Sequence, residues 1–420
     1  MKAKRFIWPL MAAFMALTVS CRDPHFSADE TGGTGSRTPG GRQPVEQTRN
    51  VMIMVSGGHN SLSSYLTADL KEMAAGFLPT GDYQTANVLM ILSRLPQNGF
   101  STTSVPVLYR LYRGADGEPV RDTIRVWGTE DRLFGGAVLS DALNMVRDRY
   151  PAKSYGVVLS SHASGWLPPG YYEKPSQFEN GNTLSLRSIG QDKDGGVSVE
   201  MDLVDFAGAI PYKLDYLVLD CCLSGGVEVA WALRGKVDRV AFTQTETMAE
   251  GFDYSAIVRR LLGDYTPDPL GVCQDFYNYY IAQSGVMQSA TISLVDPNKM
   301  DALASVSAAL FEKYRTPISQ LKGSLVQGYF RYSRHFFYDF RDILVKAGAS
   351  EDDLARLDAA LEDCVLYKAA TPWFMKGGED GFAINTHCGL SMYLPSMGTK
   401  FLDNYYKANI AWNQATQLVL

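Results

Sequence analysis

Five short apolar runs, each of strand length and each broken off by small or polar residues, restrict this chain more than any other feature. The first is Val51-Met52-Ile53-Met54-Val55, ended by Ser56-Gly57-Gly58, with His59 and Asn60 just beyond. The others cover 87–92, 155–160, 217–221 and 239–243. A run that is apolar on successive residues has no polar face, so as a strand it is covered on both sides. Between the runs the apolar spacing turns helical, over 62–73, 136–148, 202–210 and 226–233. Residues 106–113 and 123–127 read as a hairpin region. Alternation of this kind predicts an α/β fold with a mostly parallel sheet, right-handed crossovers and helices on both faces. In such sheets the chemistry gathers beyond the carboxyl ends of the strands.

The chain has 420 residues and is 46% hydrophobic, enough for one large or two ordinary domains. We place the main folded domain at 50–270. Residues 271–420 form an α/β extension that packs on it or prolongs its sheet, with helices over 299–314 and 352–364 and a late strand, Gly389-Leu390-Ser391-Met392-Tyr393-Leu394, closed by Pro395. Net charge is -6, and no basic stripe interleaved with aromatics appears, so nucleic acid is not an expected partner.

Residues 1–21 read as an export signal: Lys2, Lys4 and Arg5, an apolar stretch over 6–19, then Ser20-Cys21. The stretch is too short to span a bilayer. The Leu17-Thr18-Val19-Ser20-Cys21 ending resembles a bacterial lipobox, which implies acylation of Cys21 and an exported, membrane-anchored lipoprotein of the periplasm or cell surface. Residues 22–49 are rich in Gly, Ser, Thr, Pro and charge and read as a tether. Five further cysteines follow, Cys221, Cys222, Cys273, Cys364 and Cys388. Their odd number leaves at least one thiol unpaired, and no spacing suits structural zinc.

Two predicted strand ends carry reactive groups. One strand runs into Ser161-His162-Ala163-Ser164-Gly165-Trp166, the other into Cys221-Cys222-Leu223-Ser224-Gly225-Gly226. If the two strands are neighbours, His162 and Cys222 emerge on one rim. There an imidazole and a helix amino terminus would favour thiolate, and the backbone N–H groups of Ala163 and Cys222 would face an oxyanion. Taken singly, a His or a Cys after a strand is more often structural.

The segments Ser161-His162-Ala163-Ser164-Gly165-Trp166 and Leu219-Asp220-Cys221-Cys222-Leu223, with Glu228 six residues after the thiol, resemble the motifs of the clostripain family of cysteine peptidases. So do Asn60-Ser61-Leu62, Thr243-Gln244-Thr245-Glu246 with Gly251 and Tyr254, Ile292 to Asp296, and Gly389 to Pro395. The resemblance covers about residues 50–420. It implies a caspase-like three-layer αβα sandwich, a Cys222–His162 dyad and cleavage of protein or peptide substrates after Arg or Lys. Asp220 matches the acid of the primary specificity pocket, and Trp166, Glu246 and Glu250 are further candidates for substrate binding. No cofactor is required; the resemblance adds calcium as the one candidate metal, though no loop of EF-hand type is present.

Two residues depart from the family pattern. Ala163 stands where Gly usually follows the catalytic His, which restricts the backbone there, and Cys221 stands beside the nucleophile where Ala is common. The interval 167–216, with Lys174, Arg187 and Lys193, is where the resemblance implies maturation by self-cleavage. Two other readings compete. Ala163 keeps open a catalytically silent surface lipoprotein that binds basic peptides. A serine hydrolase using Ser161 or Ser224 ranks last, because neither serine sits in a Gly-x-Ser-x-Gly elbow.

Overall fold

The computed structural model describes residues 49–57, 60–82, 86–95, 105–168, 171, 189–194, 197–332 and 335–420. The export signal, Cys21, the tether to residue 48, His59, Lys174 and Arg187 lie outside these, as does the side chain of Lys193.

The apolar runs become strands β1 (Asn50–Gly57), β2 (Val88–Arg94), β5 (Ser154–Ser160), β8 (Leu214–Asp220) and β9 (Val237–Phe242). The hairpin region becomes β3 (Val107–Arg113) and β4 (Pro119–Val126). Strands β6 (Ile189–Asp194) and β7 (Val197–Met201) form a hairpin of their own. Two later strands, β10 (Thr291–Val295) and β11 (Val365–Ala370), complete a nine-stranded sheet in the order β11-β10-β9-β8-β5-β1-β2-β3-β4. Its middle, from β9 to β2, is parallel, and the strands outside it run antiparallel.

Side-chain alternation sends successive residues of a strand to opposite faces. On β1, Val51, Ile53 and Val55 join one hydrophobic cluster, while Met52 and Met54 join the other. Helices α1 (Ser63–Ala75), α5 (Tyr254–Leu262) and α6 (Pro269–Ile281) pack on the methionine face. The opposite face carries α2 (Ala137–Arg149), α3 (Leu203–Ala209), α4 (Val227–Ala232), α7 (Met300–Gln320), α8 (Phe340–Lys346), α9 (Glu351–Cys364), α10 (Lys400–Asn409) and α11 (Ala411–Thr416). The result is a three-layer αβα sandwich. Local chemistry fixes the helix starts: Asp253 caps the Ser255 and Ala256 N–H groups, and Asp268 caps Gly271 just before Pro269 opens α6.

Residues after 271 supply β10 and β11 to the same sheet, and Glu46–Leu420 forms one compact unit. The expected late strand over 389–394 is reduced to Ser391–Met392, paired with Tyr338–Asp339 away from the main sheet. The reason is a competing partner. Ser391 N–H donates to the Gly225 carbonyl (2.9 Å) and Tyr393 N–H to the Glu228 carboxylate (2.9 Å), so this backbone is spent bracing the turn that carries the thiol.

Candidate active site

Strands β5 and β8 pair in parallel register with Ser160 opposite Asp220, and Ser161 N–H reaches the Asp220 carbonyl at 3.4 Å. His162 and Cys222 each lie two residues past that last pair. Register therefore brings them to the same rim, on adjacent strands.

Each side chain is then held by its own loop. The His162 ring shares a 2.8 Å hydrogen bond between Nε2 and Ser61 Oγ, from the turn that follows β1. Its carbonyl accepts Gly190 N–H from the β6–β7 hairpin (3.0 Å). The hairpin is itself anchored by Gln191 N–H donating to Ser161 Oγ (3.1 Å), by Asn60 Nδ2 donating to the Gln191 carbonyl (2.8 Å), and by the buried Arg94–Asp192 ion pair. On the thiol side, Leu223 adopts a left-handed backbone with φ +57°, costly for a residue with a Cβ. Leu223 N–H to the Thr245 carbonyl (2.9 Å) and Gly225 N–H to the Thr243 carbonyl (2.7 Å) hold it there. Gly165, with φ +63°, lets the histidine loop press directly on the Leu223 carbonyl, where any Cβ would collide.

The five cysteines of the folded part are free thiols. Cys221 is buried with its sulfur toward the Leu159 carbonyl, a core residue. Cys222 stays partly exposed, its sulfur 3.9 Å from the Thr247 carbonyl. Burial first, then the charges of Glu246 and Asp220, push its thiol up to about 12, against a smaller opposite pull from Thr247 and Arg331. The resting shift therefore runs against the expectation of a ready thiolate: desolvation of the sulfur outweighs the positive groups nearby.

Asp220 is buried beneath the thiol turn. One of its oxygens accepts Ser160 Oγ (3.0 Å) and the Tyr254 hydroxyl (2.7 Å). Desolvation nonetheless raises its carboxyl to about 6. Glu246 does not stand free: its carboxylate pairs with Arg331 at 3.0 Å. Glu250 is an exposed loop acid. Trp166 corrects the sequence reading. It has no exposed surface and packs edge-on to Tyr393 and Tyr406, so its indole belongs to the core and cannot touch substrate in this conformation. Glu228 is also structural. It accepts Tyr393 N–H and the Tyr406 hydroxyl (2.8 Å), and burial raises its carboxyl to about 7.

Sequence reasoning named Ser61 and Tyr254 as family landmarks without their bonds to His162 and Asp220, and it missed Arg331 and Asp69. Asp69 sits on α1 among Leu66, Leu70 and Met73 and is 7% exposed. Its signal was legible as a carboxylate at a position that helical spacing assigns to the core. Among the described residues, no cluster of His, Cys, Asp and Glu is arranged to hold a metal.

The clostripain family model matches residues 54–417. The fold is similar to that of an inactive zymogen C11 protease from Parabacteroides distasonis, with 26% identity, a TM-score of 0.71, and coverage of 89% of this chain and 99% of that one. It is also similar to a secreted C11 cysteine protease from Bacteroides thetaiotaomicron, "iotapain", at 23% identity, TM-score 0.71 and coverage of 89% and 100%. A second structure of a secreted C11 protease from Bacteroides thetaiotaomicron, in complex with an irreversible peptide inhibitor, matches at 22% identity, TM-score 0.71 and coverage of 88% and 98%. No curated protein matches.

Proposed function

The chain belongs to the clostripain family of cysteine peptidases, and from that premise we propose that it is an exported endopeptidase cleaving peptide bonds after Arg or Lys through Cys222 and His162. The observation that carries the reading is the β5–β8 register, which sets an imidazole and a partly exposed thiol at equivalent positions on one rim.

Because burial keeps the resting thiol protonated, His162 acts as a general base during attack rather than as the partner of a standing thiolate. The sulfur adds to the scissile carbonyl as its proton passes to His162, and the backbone N–H groups of Ala163 and Cys222 receive the oxyanion. His162 then protonates the leaving amine, and water, deprotonated by the same ring, resolves the thioester. Asp220 pairs with the substrate cation. These steps use protein groups alone, without a required cofactor. Cys21 carries the lipid anchor, and the loop between the two motifs is the site of self-cleavage.

The experiment is turnover of Arg-, Lys- and norleucine-terminated fluorogenic peptides by the unmodified protein, Cys222→Ala and His162→Ala. Loss of at least three orders of magnitude in both variants is expected. Turnover that survives either substitution refutes the dyad. Two fragments in both the unmodified and Cys222→Ala preparations would rule out processing by its own thiol. The raised thiol favours one rival, a silent surface lipoprotein that binds basic peptides; it predicts binding without turnover in the same assay.

A further inference from the structure

Below the rim, the methionine face of the sheet ends in a polar row. Ser93, Ser56, Ser160 and Asp220 stand in register on four adjacent parallel strands, β2, β1, β5 and β8. They continue the alternation that puts Met52, Met54, Val158 and Val218 against α1 and α5. Ser56 is fully buried, and its hydroxyl has no hydrogen-bond partner among the described residues. Above the row, α1 brings in Asp69. It is 7% exposed, the Asp220 charge acts on its carboxyl, and its own charge acts on the Tyr254 hydroxyl.

A buried hydroxyl without a partner and a buried carboxyl each cost stability, and native interiors hold few of them. In one layer with the Asp220 carboxylate, whose hydrogen bonds from Ser160 and Tyr254 both fall on one oxygen, they leave acceptor positions that no donor among the described residues fills. Asp220 is the last residue of β8, two before the thiol, within the reach of a long Arg or Lys side chain that extends from a scissile bond at Cys222 toward that strand end. A guanidinium brings five donors in a fork, an ammonium three on one atom. Acceptors spread over separate residues suit the fork.

We infer that Asp69 forms a second acidic wall of the pocket that takes the substrate cation, making it a specificity residue that favours Arg over Lys. The inference rests on the Arg/Lys reading above. The groups acting on Asp69 are Asp220 from β8, Glu72 from α1, Tyr254 from α5 and Tyr280 from α6. All are acids or phenols. Burial and Asp220 push the Asp69 carboxyl to about 8, so the empty pocket retains a proton that an entering cation expels. Cation binding then strengthens as pH rises from 6 to 8.

The test is kcat/KM and KM for the Arg, Lys and norleucine peptides across pH 6–8, on the full chain and on Asp69→Asn. In the unmodified protein, KM for Arg should fall as pH rises. In Asp69→Asn, that slope should vanish above pH 7, where Asp220 is already ionised, and the Arg-to-norleucine ratio of kcat/KM should drop about ten- to a hundred-fold, with a smaller drop for Lys. Selectivity retained by Asp69→Asn, or a KM for Arg that is flat with pH in the unmodified protein, overturns this inference while leaving the cation preference standing. An unmodified protein that shows no turnover, or no preference for Arg and Lys over norleucine, overturns both. If the variant fails to fold, the part of the slope above pH 7 on the unmodified protein decides the matter, because Asp220, raised only to about 6, is already ionised there.

Discussion

Cys222 shows how far a residue's environment can depart from its motif. The apolar packing that positions the sulfur also keeps its proton on, and Glu246 adds to that effect while Arg331 opposes it. Neutralising the acid should therefore ease ionisation: Glu246→Gln is expected to lower the Cys222 pKa. The measurement is the pH dependence of iodoacetamide alkylation, with Cys222→Ala as the blank, and an unchanged or raised midpoint would contradict it. The placement of His162 and Cys222 just past strand ends was legible in the sequence because each follows an apolar run, and Asp220 closes one. Trp166 was misread because its neighbours in sequence, not its burial, suggested its role. Arg331 left no signal, being 85 residues from the glutamate it pairs with.

At the scale of elements, the β6–β7 hairpin is one that sequence periodicity did not show. It lies in a polar, glycine-rich interval, and what holds it is not apolar alternation but hydrogen bonds to Ser161, Asn60 and the His162 carbonyl. Its buried anchor is Asp192, which pairs with Arg94 and accepts Leu133 N–H (3.0 Å). Removing one partner of a buried ion pair costs about 3–5 kcal/mol. Asp192→Asn should accordingly lower Tm by several degrees and, by loosening the His162 loop, reduce kcat/KM about ten-fold or more. Thermal unfolding and steady-state kinetics read the two effects separately. Loss of stability with full activity would mean that the hairpin does not position His162. Helices α1, α2, α3 and α4 were legible because their apolar spacing is regular, whereas β11 was not, its exposure alternating at the edge of the sheet.

For the whole molecule, the family and the three-layer sandwich follow from a match that spans residues 54–417. No described helix is long and apolar enough to cross a membrane, so membrane attachment in our proposal depends on Cys21 alone. Cys21→Ser should move the protein from the membrane fraction to the soluble fraction on cell fractionation while sparing peptidase activity. Persistence in the membrane fraction would remove the anchor from the proposal.

The sequence by itself determined the five central strands, several of the helices that cover them and the placement of His162 and Cys222 just past strand ends, because apolar periodicity and small-residue breaks act over a few neighbouring positions. Tertiary structure alone decided that β5 lies beside β8, that the Asp220 charge reaches Asp69, that Arg331 takes Glu246 and that burial raises the Cys222 thiol. Register, burial and charge coupling join residues far apart in the chain, and no local pattern encodes them.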